Sequence, residues 1–242
     1  MQLFYSPQIS SDTNQLTFDK EESKHIIKVL RMKKGDRFNI TNGKGSFFEA
    51  EIIDENPKGC TVHIHSETKQ DPLPYHLHIA VAPTKLNDRY EWFLEKATEI
   101  GISEITPIIC ERSERKVIKP ERYEKIIHSA VKQSLSAFVP VLHQAIPLKE
   151  FLNKQFHPDL QKFIAHCENT EKKAFKTALR PNRKILILIG PEGDFSMEEI
   201  QLAVKNGFIA VSLGNRRLRT ETAAVVACNT VSFVNQDDQE QN

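Results

Sequence analysis

The sequence predicts an α/β protein with a parallel sheet, preceded by a small β-rich domain. From residue 76 onward, strand-like and helix-like segments alternate along the chain. Several strand-like segments, such as Ile185-Leu186-Ile187-Leu188-Ile189, are unbroken apolar runs. Because an unbroken apolar strand has both faces buried, this pattern is typical of a parallel sheet covered by helices. The first 70 residues read instead as short strands separated by turns.

The predicted N-terminal domain spans residues 1–70 and has the pattern of a small β-barrel. Asn42-Gly43-Lys44-Gly45 lies between two strand-like segments and predicts a hairpin turn. A helix is predicted over residues 21–32, and strands are predicted over residues 37–41, 46–53 and 61–65. Asp71-Pro72-Leu73-Pro74 then predicts a linker, since two prolines remove hydrogen-bond donors and restrict the backbone.

The predicted C-terminal domain spans residues 75–235. Strands are predicted at residues 76–82, 104–110, 162–167, 185–189 and 208–213, and helices at residues 88–100, 120–135, 197–206 and 220–234. Gly101 and Gly207 each follow a predicted helix, in the position that commonly ends one. The last eight residues, 235–242, are polar and acidic, and we expect them to be disordered.

Composition limits the possible environments and partners. The net charge is +1, so any basic surface for nucleic acid must be local. The start of the chain has no signal-peptide pattern, and no apolar run approaches the ~20 residues of a membrane span. Four widely separated cysteines indicate a reduced, cytoplasmic protein. His63 with His65 and His76 with His78 each share a strand face, but no third ligand stands out, so we predict no metal.

The first of two glycine loops is Gly190-Pro191-Glu192-Gly193, directly after the apolar run 185–189. Gly190 would let the backbone approach a ligand, and Gly193 would permit a positive φ. Ser196 stands three residues before Glu199, a capping-box spacing that begins the next helix. Ligands bind beyond the carboxyl ends of strands in a parallel sheet, but an ordinary strand–turn–helix connection has the same pattern.

The second loop follows residues 208–213 and is rich in arginine. The segment Leu213-Gly214-Asn215-Arg216-Arg217-Leu218-Arg219 contains three arginines, and Thr220-Glu221-Thr222 opens an alanine-rich helix. We expect the strands that precede the two loops to be neighbours. Both loops would then meet at one edge of the sheet and form a single site.

The paired loops resemble the RsmE-type ribosomal RNA uridine-N3 methyltransferases of the SPOUT superfamily. The matching motifs are Gly-Pro-Glu-Gly at residues 190–193 and Leu-Gly-x-Arg-x-Leu-Arg-x-Glu-Thr-Ala at residues 213–223. Lys85, followed by Glu-Lys-Ala-Thr-Glu-Ile-Gly at residues 95–101, is also similar to the family pattern. The resemblance covers most of the chain.

The resemblance implies an N-terminal PUA-like barrel and a SPOUT-type α/β domain with a deep trefoil knot, which is a rare exception to unknotted folding. It implies a homodimer that binds S-adenosylmethionine in the knot. The implied cofactor contacts are Ile189, Gly190, Pro191, Glu192, Gly193, Leu213, Gly214, Asn215 and Leu218. Asp194 stands where the family usually has another glycine, and Leu135 with Ser136 stands where it usually carries an arginine.

The implied reaction is methyl transfer to N3 of a uridine in small-subunit (16S) ribosomal RNA. Displacement at a sulfonium methyl needs an in-line approach, so positioning is a large part of catalysis. Uracil N3 carries a proton at neutral pH, which a base would remove while a cation stabilises the resulting anion. We predict Arg219 as the cation and Glu221 as a weaker candidate for the base. Glu221 could equally stabilise the N-terminus of its helix.

The predicted RNA contacts fall in three places: the first helix, the loop after residues 104–110, and the arginine-rich loop. They are Lys24, Lys28 and Arg31; Arg112 and Arg115; and Arg216 and Arg217. The first three are spaced i, i+4 and i+7, so they share one face of a helix and could follow a phosphate backbone. A solvated helix face or loop would have the same composition.

The sequence therefore predicts an enzyme whose partner is ribosomal RNA or the small ribosomal subunit. One alternative is a knotted methyltransferase that acts on another RNA, although the apparent PUA-like domain disfavours it. Another is a ribosome-assembly protein that binds RNA without catalysis. The intact glycine and arginine loops argue against that second alternative.

Overall fold

The computed structural model describes residues 2–236, which form two compact units. The first unit runs to Pro72 and also includes Val131–Val139, and the second comprises Leu73–Ala130 and the chain from Pro140 onward. Residues 237–242 of the predicted disordered tail lie outside the described residues. Asn235 at the start of that tail is buried, and its side chain accepts a hydrogen bond from the backbone N–H of Asn182.

The first unit is a five-stranded sheet with one short helical segment. Its strands are β1 (Leu3–Tyr5), β2 (Gln15–Thr17), β3 (Arg37–Thr41), β4 (Ser46–Asp54) and β5 (Thr61–Lys69). The strand order is β1-β3-β4-β5-β2, with β1 parallel to β3 and the other pairs antiparallel. Alternate residues of β4 point into an apolar core, which includes Phe48, Ala50 and Ile52. This alternation is what period-two side-chain geometry predicts for a half-buried strand.

The predicted first helix is present but is not a continuous α-helix. It consists of α1 (Lys20–Lys24), which Asp19 caps, and a π-helical turn over His25–Val29. Arg31 then adopts a positive φ of 58°, which ends the helical path. The i, i+4, i+7 spacing of Lys24, Lys28 and Arg31 therefore does not fall on one α-helical face, because both the turn and the ending differ from an α-helix.

Residues 131–139 complete the first unit, although the predicted domain boundary at residue 70 leaves them out. The carbonyl of Ala137 accepts hydrogen bonds from Thr41 Oγ1 at 3.1 Å and from the Gly45 N–H at 2.9 Å. The ring of Phe138 lies where a side chain on Gly45 would stand, 2.7 Å from that Cβ position. These contacts explain why a glycine occupies this hairpin position.

The second unit is built on a parallel sheet. Its strands are β6 (His76–Val81), β7 (Glu104–Ile109), β8 (Val141–Leu142), β9 (Ile146–Pro147), β10 (Gln161–Ala165), β11 (Lys173–Ala174), β12 (Lys184–Ile189) and β13 (Ile209–Ser212). The strand order is β11-β13-β10-β12-β6-β7-β8, with β9 also paired to β7, and these pairs are parallel. The predicted parallel sheet is confirmed.

Helices cover both faces of this sheet. The helices of this part of the chain are α2 (Asn87–Ile100), α3 (Pro120–Ser134), α4 (Leu148–Leu152), α5 (Phe175–Ala178), α6 (Met197–Lys205) and α7 (Thr220–Val234), and the end of α3 from Val131 onward belongs to the first unit. Leu186 and Leu188 pack into a core with α4 and α6, whereas α7 contacts β6, β12 and α2. Every residue of β12 from Ile185 to Ile189 is buried, as the unbroken apolar run predicts. No helix among the described residues is long and apolar enough to cross a bilayer.

Candidate active site

A cavity of about 700 Å³ opens at the carboxyl ends of β10, β12 and β13. Small-molecule sites typically have volumes of roughly 300–1,000 Å³ and lie at this edge of parallel sheets. The lining residues come from the ends of three strands, the loops that follow them and the start of α7. They are Ala165, His166, Cys167, Lys172, Ile189, Gly190, Pro191, Glu192, Asp194, Val211, Ser212, Leu213, Gly214, Asn215, Arg216, Arg217, Leu218, Arg219, Thr220 and Ala223.

The two predicted loops meet in this cavity. The predicted cofactor residues that line it are Ile189, Gly190, Pro191, Glu192, Leu213, Gly214, Asn215 and Leu218. Gly193 is the predicted cofactor residue that is not part of the wall. The arginines of the second loop, Arg216, Arg217 and Arg219, also line the cavity and remain exposed to solvent. Exposed cations at the mouth of a cavity are available to an incoming anionic polymer.

The predicted neighbourhood of β12 and β13 is wrong, because β10 lies between them. Residues of β10 pair with β12 from Gln161 to Ala165, and with β13 from Phe163 to Ala165. The chain therefore brings a third strand end into the site. The sequence pattern identified this strand, but pairing order is set by connections that the local pattern does not encode.

Packing within the protein requires a glycine at position 190. A Cβ atom at Gly190 would lie 3.0 Å from the ring of Phe195, which is fully buried. The carbonyl of Gly190 accepts a hydrogen bond from Thr220 Oγ1 at 3.0 Å. Thr220 is the first residue of α7, so this bond ties the first loop to the start of the helix that follows the second loop.

The positive φ predicted for Gly193 is found instead at Asp194, which has φ of 63°. Gly193 has a different constraint, since a Cβ there would lie 3.2 Å from Arg112 Cβ. Aspartate tolerates the left-handed conformation better than most residues because its short side chain bonds to nearby backbone. Asp194 Oδ1 accepts from the Phe195 N–H at 2.9 Å, and Oδ2 accepts from the Cys167 N–H at 2.7 Å. This departure from the family pattern is therefore accommodated, and it links the first loop to the end of β10.

Sequence reasoning missed the residues that β10 contributes, above all His166. His166 is buried in the cavity wall, and neither of its ring nitrogens has a hydrogen-bond partner among the described residues. Burial, and secondarily the ammonium of Lys172, lower the pKa of His166 below its usual value. The imidazole is therefore neutral at pH 7. The signal that could have found it is its position directly after a predicted strand of the parallel sheet.

Glu192 presents a buried acceptor to the cavity. Its Oε1 accepts a hydrogen bond from the backbone N–H of Lys85 at 2.8 Å. Its Oε2 is buried, and no described residue hydrogen-bonds to it. A buried polar atom without a partner is costly, and in a cavity wall it is a position where a ligand donor can bind.

Glu221, the predicted base candidate, lies apart from the cavity wall. It is buried in the first turn of α7, and its carboxylate faces Arg89 of α2 with Nε and Oε1 3.9 Å apart. This environment supports the alternative interpretation, in which Glu221 stabilises the N-terminus of α7 and its contact with α2. Arg219, the predicted cation, precedes α7 as its N-cap residue and lines the cavity.

The two predicted RNA contacts after β7 are engaged in hydrogen bonds within the protein. Arg112 Nη1 donates to the carbonyl of Gly193 at 3.0 Å. Arg115 donates from Nε to the carbonyl of Thr84 at 2.9 Å and from Nη2 to that of Lys85 at 2.7 Å. These bonds favour a structural role for both residues, since they hold the first glycine loop and the segment that follows β6.

The basic residues of the first unit remain exposed. Lys24, Lys28 and Arg31 all have exposed side chains, and none forms an ion pair with any residue from 2 to 236. Their positive charges are therefore not neutralised within the unit. Such charges can be neutralised by phosphate groups of a nucleic acid.

Comparison with known proteins places this architecture in a family. The model of the family described as RNA methyltransferase domain matches residues 71–232, and that of the RNA methyltransferase PUA domain matches residues 18–64. The ribosomal RNA small subunit methyltransferase E of Buchnera aphidicola is 34% identical, with 89% of this chain and 87% of that protein covered. This chain belongs to the ribosomal RNA small subunit methyltransferase E family.

Two solved structures extend the similarity to the whole fold. A probable rRNA-methyltransferase from Porphyromonas gingivalis is 42% identical, with a TM-score of 0.88 and coverage of 97% of this chain and 98% of that one. Ribosomal RNA small subunit methyltransferase E from Neisseria gonorrhoeae, bound to S-adenosylmethionine, is 28% identical, with a TM-score of 0.88 and coverage of 98% and 99%. The predicted family, α/β fold and N-terminal PUA domain are confirmed, and the trefoil knot stays a prediction.

Proposed function

We propose that this methyltransferase E family member binds S-adenosylmethionine in the cavity and methylates N3 of a uridine in small-subunit (16S) ribosomal RNA. The observation that carries the proposal is the meeting of the two motif loops in one cavity, with arginines at its mouth. The homologue that is described as bound to S-adenosylmethionine has the same fold.

The cavity residues fit this cofactor chemically. Ile189, Val211 and Leu218 supply apolar surface for an adenine ring. The buried, unpartnered Oε2 of Glu192 is an acceptor that suits a ribose hydroxyl or an ammonium group. When bound, the cofactor supplies a methyl group activated by the neighbouring positive sulfonium.

The protein's part in the reaction is to position uracil and to stabilise its deprotonated form. Arg219 is the proposed cation that stabilises the uracil anion through a carbonyl oxygen. His166 is the proposed acceptor of the N3 proton, because it is neutral, lines the cavity and has no partner on either ring nitrogen. Glu221 has no base role in this proposal, because it is buried beside Arg89 and lies apart from the cavity wall.

RNA binding is proposed for two groups of exposed cations. The first group lies in the PUA domain and comprises Lys24, Lys28 and Arg31. The second group lies at the mouth of the cavity and comprises Arg216 and Arg217. Phosphate contacts position a nucleic acid without reading its sequence. The residues of the cavity then determine which base of the bound RNA is methylated.

We further propose that the protein acts as a homodimer in the cytoplasm and that methyl transfer uses no metal. Exposed apolar side chains on the neighbouring helices α2 and α7, Trp92 and Phe233, support a protein interface on this unit. Four free cysteines support a reducing compartment. Light scattering during size-exclusion chromatography should give twice the mass of the 27.7 kDa chain.

The decisive experiment is methyl transfer to unmodified RNA, followed by nucleoside mapping. The protein is incubated with labelled S-adenosylmethionine and with small subunits or 16S ribosomal RNA that lack this modification. We expect label in 3-methyluridine. Label in a ribose or in transfer RNA would support the other knotted methyltransferases, and no label on any RNA would support a binding-only protein.

An Arg219→Ala variant tests the catalytic assignment. We expect kcat to fall by about 10²–10³-fold, as for removal of a donor that stabilises a developing anion, while cofactor affinity stays within a few-fold. Calorimetric titration of S-adenosylmethionine and single-turnover rates measure the two quantities. Arg180→Ala, at another exposed arginine of the same unit, is the matched control. Normal turnover in the Arg219 variant would remove the assignment.

A further inference from the structure

Three strands bring a cluster of metal-ligating side chains together at the amino ends of β6 and β7. His78 on β6 and Glu104 on β7 are direct partners in the parallel register, and His143 follows β8. One ligand atom from each residue can be chosen so that all three lie within 4.8 Å of one another. The sequence shows the histidines of β6 but not their partners, because Glu104 and His143 are distant from them along the chain.

We propose that His78, Glu104 and His143 form a binding site for one divalent transition-metal ion, with zinc as the preferred metal. Two imidazoles and one carboxylate match the donor types that zinc takes in proteins. The three side chains are partly buried, so the ion would be shielded on the protein side and open to water on the other.

The spacing of the ligand atoms is compatible with this ion. His143 Nε2 lies 2.6 Å from Glu104 Oε2, and His78 Nδ1 lies 3.8 Å from the same oxygen. Ligands about 2.0–2.2 Å from a tetrahedral zinc ion are about 3.4 Å apart. The two observed separations lie on either side of that value. Side-chain rotations would bring each imidazole nitrogen to this spacing from the carboxylate oxygen, within a set of atoms that all lie within 4.8 Å of one another.

The hydrogen bond of His78 Nε2 leaves Nδ1 available to bind a metal ion. His78 Nε2 lies 2.7 Å from Thr106 Oγ1, so the tautomer with its proton on Nε2 has an acceptor for that proton. A proton on Nδ1 would have no acceptor at hydrogen-bond distance, since Glu104 Oε2 is 3.8 Å away. The Nδ1 lone pair thus faces the carboxylate, and a cation between the two atoms removes their repulsion.

His76 contacts the same carboxylate without being one of the proposed ligands. Its Nε2 lies 3.2 Å from Glu104 Oε1, the oxygen that the proposed ion does not use. Outer contacts of this kind help to orient a ligating carboxylate, and loss of such a partner typically costs 10–100-fold in metal affinity. The ring of Phe151 packs edge-on against His78 at 5.9 Å and restricts its rotation.

The site is distinct from the methyl-transfer cavity. The ligand His78 is level with Leu186 in the middle of β12, whereas Ile189 at the end of β12 lines the cavity. Three residues of strand separate the two levels, which corresponds to about 10 Å along the strand. The proposed ion therefore has a structural role: it joins β6, β7 and the segment after β8, and it does not take part in methyl transfer.

The test uses the full chain without a histidine tag, stripped with a chelator and titrated with Co²⁺. We expect one equivalent per chain, with the visible absorption bands of a low-symmetry nitrogen- and oxygen-ligated site, and displacement by Zn²⁺. Glu104→Gln and His143→Asn should each weaken binding by more than 100-fold, and His76→Asn by 10–100-fold. Zinc should also raise the melting temperature of the wild-type protein but not that of the Glu104→Gln variant.

A matched control comes from the other histidine pair. His63 and His65 lie with rings 4.9 Å apart on β5, and His65 contacts Glu51 at 2.9 Å, so the His63→Asn, His65→Asn double variant removes similar chemistry elsewhere. Its Co²⁺ binding should equal that of the wild type. S-adenosylmethionine affinity verifies that each variant is folded. Stoichiometry far below one, unchanged binding in Glu104→Gln, or loss of binding in the control variant would each overturn the proposal.

Discussion

Asp194 shows how one residue can replace a glycine in a loop that needs a left-handed backbone. Its φ is 63°, and its carboxylate accepts hydrogen bonds from the N–H groups of Phe195 and Cys167. The side chain therefore compensates for the strain that a non-glycine residue has at this φ. The bond from the Cys167 N–H also fixes the first glycine loop to the end of β10, and both Asp194 and Cys167 lie in the cavity wall.

Three substitutions at Asp194 separate backbone strain from side-chain bonding. We expect the unfolding free energy of Asp194→Ala, measured in urea, to be about 1 kcal/mol lower than that of Asp194→Gly. Both variants lose the carboxylate bonds, but only alanine is strained at this φ. Asp194→Asn retains an acceptor and tolerates this φ, so it is the matched control. Equal stability of the alanine and asparagine variants would contradict this account.

His166 leads to a prediction about pH. Because burial lowers its pKa, the neutral ring that can accept a proton persists below pH 6.5, and activity declines only when the pH falls through the lowered pKa. We expect His166→Asn to lower kcat by roughly 10²-fold and to abolish this acidic decline, with little change in cofactor affinity. The measurement is kcat as a function of pH for both proteins. A variant that changes only KM for S-adenosylmethionine would indicate a binding role instead.

At the scale of secondary structure, strong local sequence patterns were sufficient to predict a helix or strand, and weak patterns were not. Unbroken apolar runs and alanine-rich or capped segments predicted β12, α6 and α7 closely. The two-residue strands β8, β9 and β11 were missed, because two residues carry no periodicity. The π-helical turn at His25–Val29 was missed because its residues also fit an α-helical pattern.

The capping box that begins α6 was predicted from spacing and is confirmed. Ser196 Oγ accepts from the Glu199 N–H, and Glu199 Oε2 accepts from the Ser196 N–H at 2.9 Å. The structure adds a further partner that spacing alone could not show. Glu199 Oε1 accepts from the Glu111 N–H at 2.8 Å, and Ser196 Oγ lies 3.0 Å from Glu111 Oε2. The cap therefore also anchors the segment after β7.

Ser196→Ala should consequently cost more than an ordinary helix cap. We expect a loss of about 2 kcal/mol in unfolding free energy, the upper end for N-cap substitutions, because the serine is buried and bonds to two segments. Urea denaturation measures this quantity. Glu198→Ala, at an exposed position in the same helical turn, should change stability by less than about 0.5 kcal/mol. A similar loss of unfolding free energy in both variants would show that the buried Ser196 cap contributes no more stability than an exposed residue of the same turn.

At the scale of the whole molecule, the sequence identified both motif loops but not how the sheet assembles them. Their meeting in one cavity depends on β10, which lies between β12 and β13. Strand order is a non-local property, so His166 and Asp194 could not be assigned to the site from the motifs alone. The same limit hid the His78, Glu104 and His143 cluster, which the pairing of β6, β7 and β8 brings together.

The near-zero net charge makes RNA binding depend on local cation clusters, and salt dependence can count their contacts. Each phosphate contact contributes about 0.7 to the slope of log affinity against log salt for single-stranded nucleic acid. If Lys24, Lys28 and Arg31 each contact a phosphate, then replacing them together by Gln, Gln and Asn should make the slope less negative by about 2. Asparagine is chosen at Arg31 because this residue has a positive φ.

The matched control removes the same charge from the same unit at other exposed positions, through Lys44→Gln, Lys58→Gln and Lys69→Gln. Filter binding of ribosomal RNA at several salt concentrations gives both slopes. Because the control lowers net charge equally, a general electrostatic effect would change both proteins alike. A smaller slope confined to the first variant assigns the phosphate contacts to Lys24, Lys28 and Arg31, and equal slopes would remove them from the RNA surface.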